Sequence, residues 1–430
     1  MSKTTINSIR ARRVWDSRGH PTVEVEVSTA GGATGRAIAP AGASTGAGEA
    51  VDLRDGGAAF AGLDVQCAIS GVRERIAPAL IGMDAEDQAA IDGRMIEIDG
   101  TPNMASLGGN ASIATSMATL HCAAAAHDLP LWRYLAGDRD PPHLPLPEVQ
   151  IFGGGAHAER RVDIQDFMVV PVGADDYHQA LEWVADVYRA AGALMSESGR
   201  RVGVADEGGF WPVFDTNEEA IEILVRAIEQ SGRKPGQEIA ISLDIAASEF
   251  NEDGRYSLSC DGIKLGTDAF SELILKWLRL YPIVAVEDPL AEDDLVGLAA
   301  FTSRAGSTVQ VVADDAAVTS ETRIRAAAAA GACNAFLMKP NQVGTVTGAR
   351  AALEAAREVG WGAIISARSG ETEDVTIVHM AVGWGIEQLK VGSFARSERM
   401  AKWNEGLRIA DVAPCGAALP PADRFLWSAA

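Results

Sequence analysis

Four short apolar runs in the second half of the chain end in ionisable residues. Ile241-Ser-Leu leads into Asp244, Ile283 to Val286 into Glu287, and Val309 to Ala313 into Asp314. The fourth run, Ala335 to Met338, leads into Lys339, and Pro340 and Asn341 then stop it. Apolar runs of this length bounded by breakers read as buried strands. Their spacing of about one βα unit brings the strand ends to one mouth of a parallel barrel, where such folds carry active sites.

Three carboxylates at one mouth repel one another unless a cation lies between them. Hard oxygen ligands without His or Cys suit magnesium, with water and substrate oxygens completing an octahedron. The alternative for each acid is a helix cap or an arginine partner. Lys339 also has two readings: a strand-end lysine whose ammonium reaches water, or a general base. A neighbouring cation and burial both lower an amine's pKa, which favours the base. Lys390, closing the run Gln388-Leu-Lys, adds a second positive charge. Together these groups suit removal of a proton next to a carboxylate, with magnesium taking up the developing charge.

The elements that must hold these residues follow from the rest of the chain. Its 430 residues suit a large barrel with a smaller companion domain. Val23, Val25 and Val27 alternate with Glu24 and Glu26 as in a half-buried antiparallel strand. Ile6 to Trp15 and Ala33 to Ile38 complete a meander. Ala39 to Gly48, all small residues apart from Pro40, makes a loop whose backbone can approach a ligand. Helices are expected over Val65 to Ile81 and Asn110 to Asp128, the second capped by Asn110. This α+β domain spans residues 1–140, and the proline-rich Asp138 to Pro147 is the linker. From 141 to 430, Glu148 to Phe152 and Ile164 to Val170 read as two strands with no helix between them. Helices start near Tyr177 and Thr216, and strands near Ile241, Ile283, Val309, Ala335, Ala363 and Gln388 then alternate with helices. The pattern predicts an irregular (βα)8 barrel with a ββαα start.

A formal net charge of −22, with no basic stripe, argues against nucleic acid and anionic membranes as general partners. The five cysteines are scattered without metal-ligand spacing and read as reduced thiols of a cytoplasmic protein. The N-terminus lacks the apolar core of a signal peptide, and no apolar run reaches bilayer length.

The motifs DSRGHPTVEVEV, GASTG, ADEGGF, LDIAASEF, VEDP, ADD, LMKPNQVGT, RSGETED and RSERMAKWNEGLRI resemble those of the enolase family along almost the whole chain. The resemblance implies a magnesium-dependent lyase, assembled as a homodimer or a larger homo-oligomer, with an anionic, phosphoglycerate-like substrate. Asp244, Glu287 and Asp314 match the family's metal ligands, and Ser44 matches the ligand of a second magnesium. Lys339 matches the base and Glu207 the acid that helps expel the β-hydroxyl. Lys390 matches a carboxylate-binding residue, and Arg368 and Ser369 match phosphate contacts. His157 and Gln165 fall at matching active-site positions.

Several positions depart from that pattern. Ala367 replaces a histidine, Asp166 the usual second glutamate near the leaving hydroxyl, Gly153 an asparagine and Ala41 a serine. Each change makes the side chain smaller. Trp211 and Phe394 stand where small residues or proline are usual, and Pro340 follows the base. The enolate-forming half is retained, while the half facing the leaving group is emptied, with Trp211 or Phe394 free to stack on a planar group. Three readings follow. One is a larger phospho or phosphono substrate, or a second phosphonate or nucleotide-linked one, as in the family's carboxyphosphonoenolpyruvate synthase of phosphonate antibiotic pathways. The second is an ordinary phosphopyruvate hydratase in which water replaces the lost groups. The third is a non-catalytic binding protein on the same fold.

Overall fold

The computed structural model describes residues 2–43 and 45–429, so the expectation for Ser44 lies outside the described residues. β1 (Ile6–Trp15), β2 (Pro21–Thr29) and β3 (Thr34–Ile38) form the antiparallel meander. Val23, Val25 and Val27 are fully buried, and the helix Gly109–Ala126 packs across β2 and β3. Gly35 allows that close approach, because a Cβ there would lie 2.2 Å from the carbonyl oxygen of Ala118. On the other face Glu24 is covered by Arg12 at 2.5 Å.

Asn110 is not the cap of this helix. The cap is Gly108, at φ 96°, while the Asn110 amide donates to Asp52 Oδ1 at 2.8 Å and to the Leu53 carbonyl at 3.1 Å. A preceding loop that supplies two acceptors outcompetes local capping. The expected helix near Val65 runs over Gln66–Gly71, Val72–Ile76 and Ala77–Leu80, and its middle segment is wound as a π-helical turn.

The second domain is a closed eight-stranded barrel with mixed α/β architecture. Its strands begin with β4 (Leu146–Gly153), β5 (Asp166–Val170) and β6 (Ala240–Asp244). A surface excursion follows, made of β7 (Asn251–Glu252), β8 (Arg255–Leu258) and β9 (Ile263–Gly266). The barrel resumes with β10 (Ile283–Glu287), β11 (Gln310–Ala313), β12 (Ala335–Met338), β13 (Gly362–Ser366) and β14 (Gln388–Ser393). The helices Tyr177–Glu197 and Asn217–Gln230 lie between β5 and β6, which is the ββαα start. The excursion was not expected, because its strands are short and mostly polar. Two expected boundaries shift: Leu146 and Pro147 belong to β4 rather than the linker, and Ile164 and Gln165 precede β5.

β5 runs antiparallel to both neighbours, and this positions the site. Its first residue, Asp166, lies opposite Gly153 at the end of β4 and Asp244 at the end of β6. Glu287 in turn lies opposite Asp244. An antiparallel strand therefore delivers its N-terminal acid to the mouth where the parallel strands deliver their C-terminal ones. The N-terminal domain closes over this mouth through paired backbone bonds of 2.8–2.9 Å between Ala41 and Gly370. Among the described residues no helix is long and apolar enough to cross a membrane.

Candidate active site

The mouth of the barrel is a cleft lined by Lys339 and Lys390, by the acid group His157, Asp166 and Glu207, and by Ala367, Arg368 and Ser369. Gln165 and Asp244 complete the barrel side, and Gly42 and Ala43 close it from the N-terminal domain. All of the described site residues expected from the sequence are brought to this region, with Glu287 and Asp314 buried beside it.

The three strand-end acids are interleaved with the two lysines. Lys390 Nζ donates to Asp244 Oδ2 at 2.9 Å and Glu287 Oε2 at 2.7 Å, and lies 3.5 Å from Asp166 Oδ2. Lys339 Nζ bonds Asp314 Oδ2, and Asp314 Oδ1 accepts from Gln342 at 2.9 Å. The trio Asp244, Glu287 and Asp314 is accordingly not one of the tight acidic clusters. Among the described residues those clusters, with candidate ligand atoms within 4.8 Å of one another, are His157–Asp166–Glu207 and Asp288–Asp314–Asp315. Asp288 already accepts the backbone N–H groups of Asp314 at 3.0 Å and Asp315 at 2.9 Å, so it braces β11.

The donor set nevertheless fits a hard divalent cation. Asp244 Oδ1 and Glu287 Oε1 are buried without a hydrogen-bond partner among the described residues, and they belong to paired residues of adjacent strands. Unsatisfied anionic oxygens of this kind are costly unless a cation meets them. Burial and the neighbouring Asp244 push the Glu287 carboxyl well above its usual range.

The expected depression of the Lys339 pKa is reversed as the side chains stand. Burial, the largest single influence, would lower it, but the carboxylates of Asp314 and Glu287 raise it and the net direction is upward. Arg368 and Lys390 push the other way. Lys339 keeps 13% of its side chain exposed, so its amine opens to the cleft.

Across the cleft, His157 Nδ1 meets Asp166 Oδ1 at 3.0 Å and its Nε2 lies 3.8 Å from Glu207 Oε1. Burial would lower this imidazole, but Asp166 and Glu207 outweigh it and raise its pKa to about 9. Burial would raise Asp166, yet His157 and Lys390 hold it well below the usual carboxylate range. Gln165 donates to Asp244 Oδ2 at 3.1 Å, tying this group to the acids of the neighbouring strand.

Arg368 is 4% exposed, and its guanidinium bonds Glu49 Oε2 at 2.9 Å and Asn341 Oδ1 at 3.2 Å. Arg399, fully buried, donates to the carbonyls of Arg368 at 2.7 Å and Ser369 at 2.6 Å and so sets their backbone. Glu49, Arg399 and Gln150 were not anticipated. Gln150 had a readable signal, since Glu148 and Gln150 are polar at alternate positions of a fully buried strand.

Two expectations about emptied space fail. The room left at Gly153 is taken: a Cβ there would lie 2.6 Å from Ala205 Cβ and 3.1 Å from Gln150 Nε2. Neither Trp211 nor Phe394 lines the cleft, and Phe394 packs on the hydrophobic core instead. Pro340 is the first residue of the short helix Pro340–Val343, where its missing N–H costs nothing. Ala41 contributes backbone to the domain closure. Ala367 lines the cleft with only a methyl group.

Comparison with known proteins agrees with this arrangement. Residues 6–135 match the enolase N-terminal domain, and residues 142–418 match the enolase C-terminal TIM barrel domain. Enolase 1 of Desulfitobacterium hafniense (strain Y51) is 46% identical over 418 residues, covering 96% of this chain and 95% of that protein.

Proposed function

Because the chain belongs to the enolase family and is thereby a magnesium-dependent lyase, we propose that it dehydrates 2-phosphoglycerate to an enolpyruvate phosphate. The supporting observation is that a lysine and a carboxylate–imidazole group face each other across a cleft floored by acids.

In this reading Lys339 Nζ takes the proton on the carbon next to the substrate carboxylate. Glu207 gives a proton to the β-hydroxyl as the carbon–oxygen bond breaks, so that water leaves and the double bond forms. His157 and Asp166 hold Glu207's side of the cleft polar and oriented. Arg368 and Ser369 receive the phosphate, which displaces Glu49 from the guanidinium. Lys390 and Gln165 face the substrate carboxylate. Asp244, Glu287 and Asp314 would hold one magnesium and Ser44 a second, and bound magnesium would stabilise charge building on that carboxylate. With Asp314 and Glu287 engaged as ligands, the groups left around Lys339 are Arg368, Lys390 and its own burial, all of which lower its pKa.

We take residues 1–140 and 141–430 as the two domains, and a homodimer or larger assembly in the cytoplasm as the working form. A second reading, a larger phosphono substrate, keeps one observation in its favour: Ala367 offers only a methyl group beside Arg368. Ultraviolet absorbance of the enolpyruvate product from 2-phosphoglycerate decides between them. Turnover typical of enolases is the expected result. Loss of preference for 2-phosphoglycerate in favour of a phosphono analogue would support the second reading, and Ala367→His should then reverse it.

A further inference from the structure

The side chain of Gln150 lies at 0% exposure between β4, β5 and the segment that carries Glu207. Its Oε1 accepts the backbone N–H of Gly209 at 2.8 Å. Its Nε2 donates to Asp166 Oδ1 at 2.5 Å and lies 3.5 Å from His157 Nδ1. The orientation of this amide is determined by its neighbours. Turned over, it would set a carbonyl oxygen against a carboxylate and an NH2 group against an N–H, and both contacts are repulsive.

That orientation dictates the next step. An amide NH2 donates and cannot accept, so the proton on His157 Nδ1 goes to Asp166 Oδ1 at 3.0 Å. His157 Nε2 is then turned toward Glu207 Oε1 at 3.8 Å. Gly209 stands two residues from Glu207, and the same segment is strapped to β4 by Phe210 N to Ile151 O at 2.8 Å. One side chain therefore joins both ends of the acid group.

The surrounding residues are cut to fit it. A Cβ at Gly209 would lie 2.5 Å from Gln150 Oε1, and one at Gly153 would press on Gln150 Nε2 and Ala205. A long amide among two glycines and an alanine is a built arrangement, and it occupies the volume that the small residue at 153 leaves.

We propose that Gln150 is a positioning residue for the leaving-group half of the site: its amide ties Asp166 to the backbone of Gly209 and thereby holds His157 and Glu207 in line for protonation of the departing hydroxyl. The assignment rests on the dehydratase reading. It does not involve Lys339, which works from the opposite wall. The step affected is cleavage of the carbon–oxygen bond, with the Glu207 proton leaving in water. Removal of the α-proton should be untouched.

The test uses the full-length protein with magnesium and 2-phosphoglycerate in deuterated water. Gln150→Met keeps the length and loses both hydrogen bonds. Gln150→Glu keeps the acceptor for Gly209 and, wherever the new carboxyl is ionised, loses the donor to Asp166. Exchange of the α-hydrogen is followed by NMR and product formation by ultraviolet absorbance. Misplacement of the acid by about 1 Å should slow dehydration about 100-fold, with KM and α-exchange within about threefold of the parent protein. Gln150→Glu should behave like Gln150→Met, because the lost donor is the one that holds Asp166. Parallel loss of exchange and dehydration, or no change in either, overturns the proposal. If the unaltered protein fails to dehydrate 2-phosphoglycerate, the functional reading falls. Gln150 is then judged from crystal structures of the variants: displacement of Asp166 and Glu207 supports the strut, and unmoved side chains refute it.

Discussion

Replacing Lys390 by methionine tests the electrostatic design of the barrel mouth directly. The side chain keeps its length, and the ammonium that bonds Asp244 at 2.9 Å and Glu287 at 2.7 Å is lost. Removing one member of a buried ion pair costs about 3–5 kcal/mol, because the other charge is left alone. Here the cost has a ceiling, since an orphaned acid can take up a proton. The ordinary value for Glu287 is 4.5, so keeping it protonated at about pH 7.5 costs about 4 kcal/mol at about 1.4 kcal/mol per unit. At about pH 6 the same proton costs about 2 kcal/mol. Glu287 already sits above its usual range, and losing Lys390 pushes it higher still, so the folded variant keeps that proton to a higher pH than the parent does and loses stability more steeply as pH rises. Bound magnesium replaces that proton, and at 100 times its Kd contributes about 2.7 kcal/mol of its own. Urea unfolding of both proteins at the two pH values, with and without magnesium, reads all of this. The deficit should be larger at the higher pH and shrink with magnesium. A deficit that ignores both pH and magnesium would refute the idea that these acids form a cation site.

Three further outcomes are expected. Lys339→Ala should slow exchange of the substrate α-hydrogen with solvent by about 100- to 10,000-fold, and exchange at the parent rate would remove Lys339 as the base. Gly153→Ala should destabilise by about 1–3 kcal/mol, because its methyl group meets Ala205 at 2.6 Å; an unchanged urea midpoint would show that Gln150 and Ala205 shift freely. His143 is 6% exposed, and burial lowers its pKa to about 4. Its contribution is complete above the unfolded value of 6.5 and is lost as pH falls towards 4. Between about pH 7.5 and 5 this should amount to about 2 kcal/mol, and His143→Leu should flatten that slope; an equally steep slope in the variant would assign the acid loss to other groups.

Asp244, Glu287, Asp314 and Lys339 were legible because strand ends are written locally, as an apolar run followed by a polar residue. The barrel was legible for the same reason, as alternating strand and helix periods, and the ββαα start showed as two strand patterns without a helix between them. What local pattern could not supply was the partner of each charge. Arg368 meets Glu49 across 319 residues of chain, and Lys390 meets Asp244 across 146. The upward direction at Lys339 follows from Asp314 being the nearest group, which only the closed ring of strands decides.

The same limit explains the reading of small residues as empty space. Residue size is written in the chain, but whether a neighbour fills the gap depends on packing across strands. Gly153 and Gly209 are 56 residues apart and share Gln150 between them only because β4 and the Glu207 segment are brought side by side. The sequence alone determines which groups are present and the order in which strands present them. The tertiary structure alone decides which charges touch and which volumes are filled, because Coulomb interactions and close packing act over a few ångströms of space, whatever the separation along the chain.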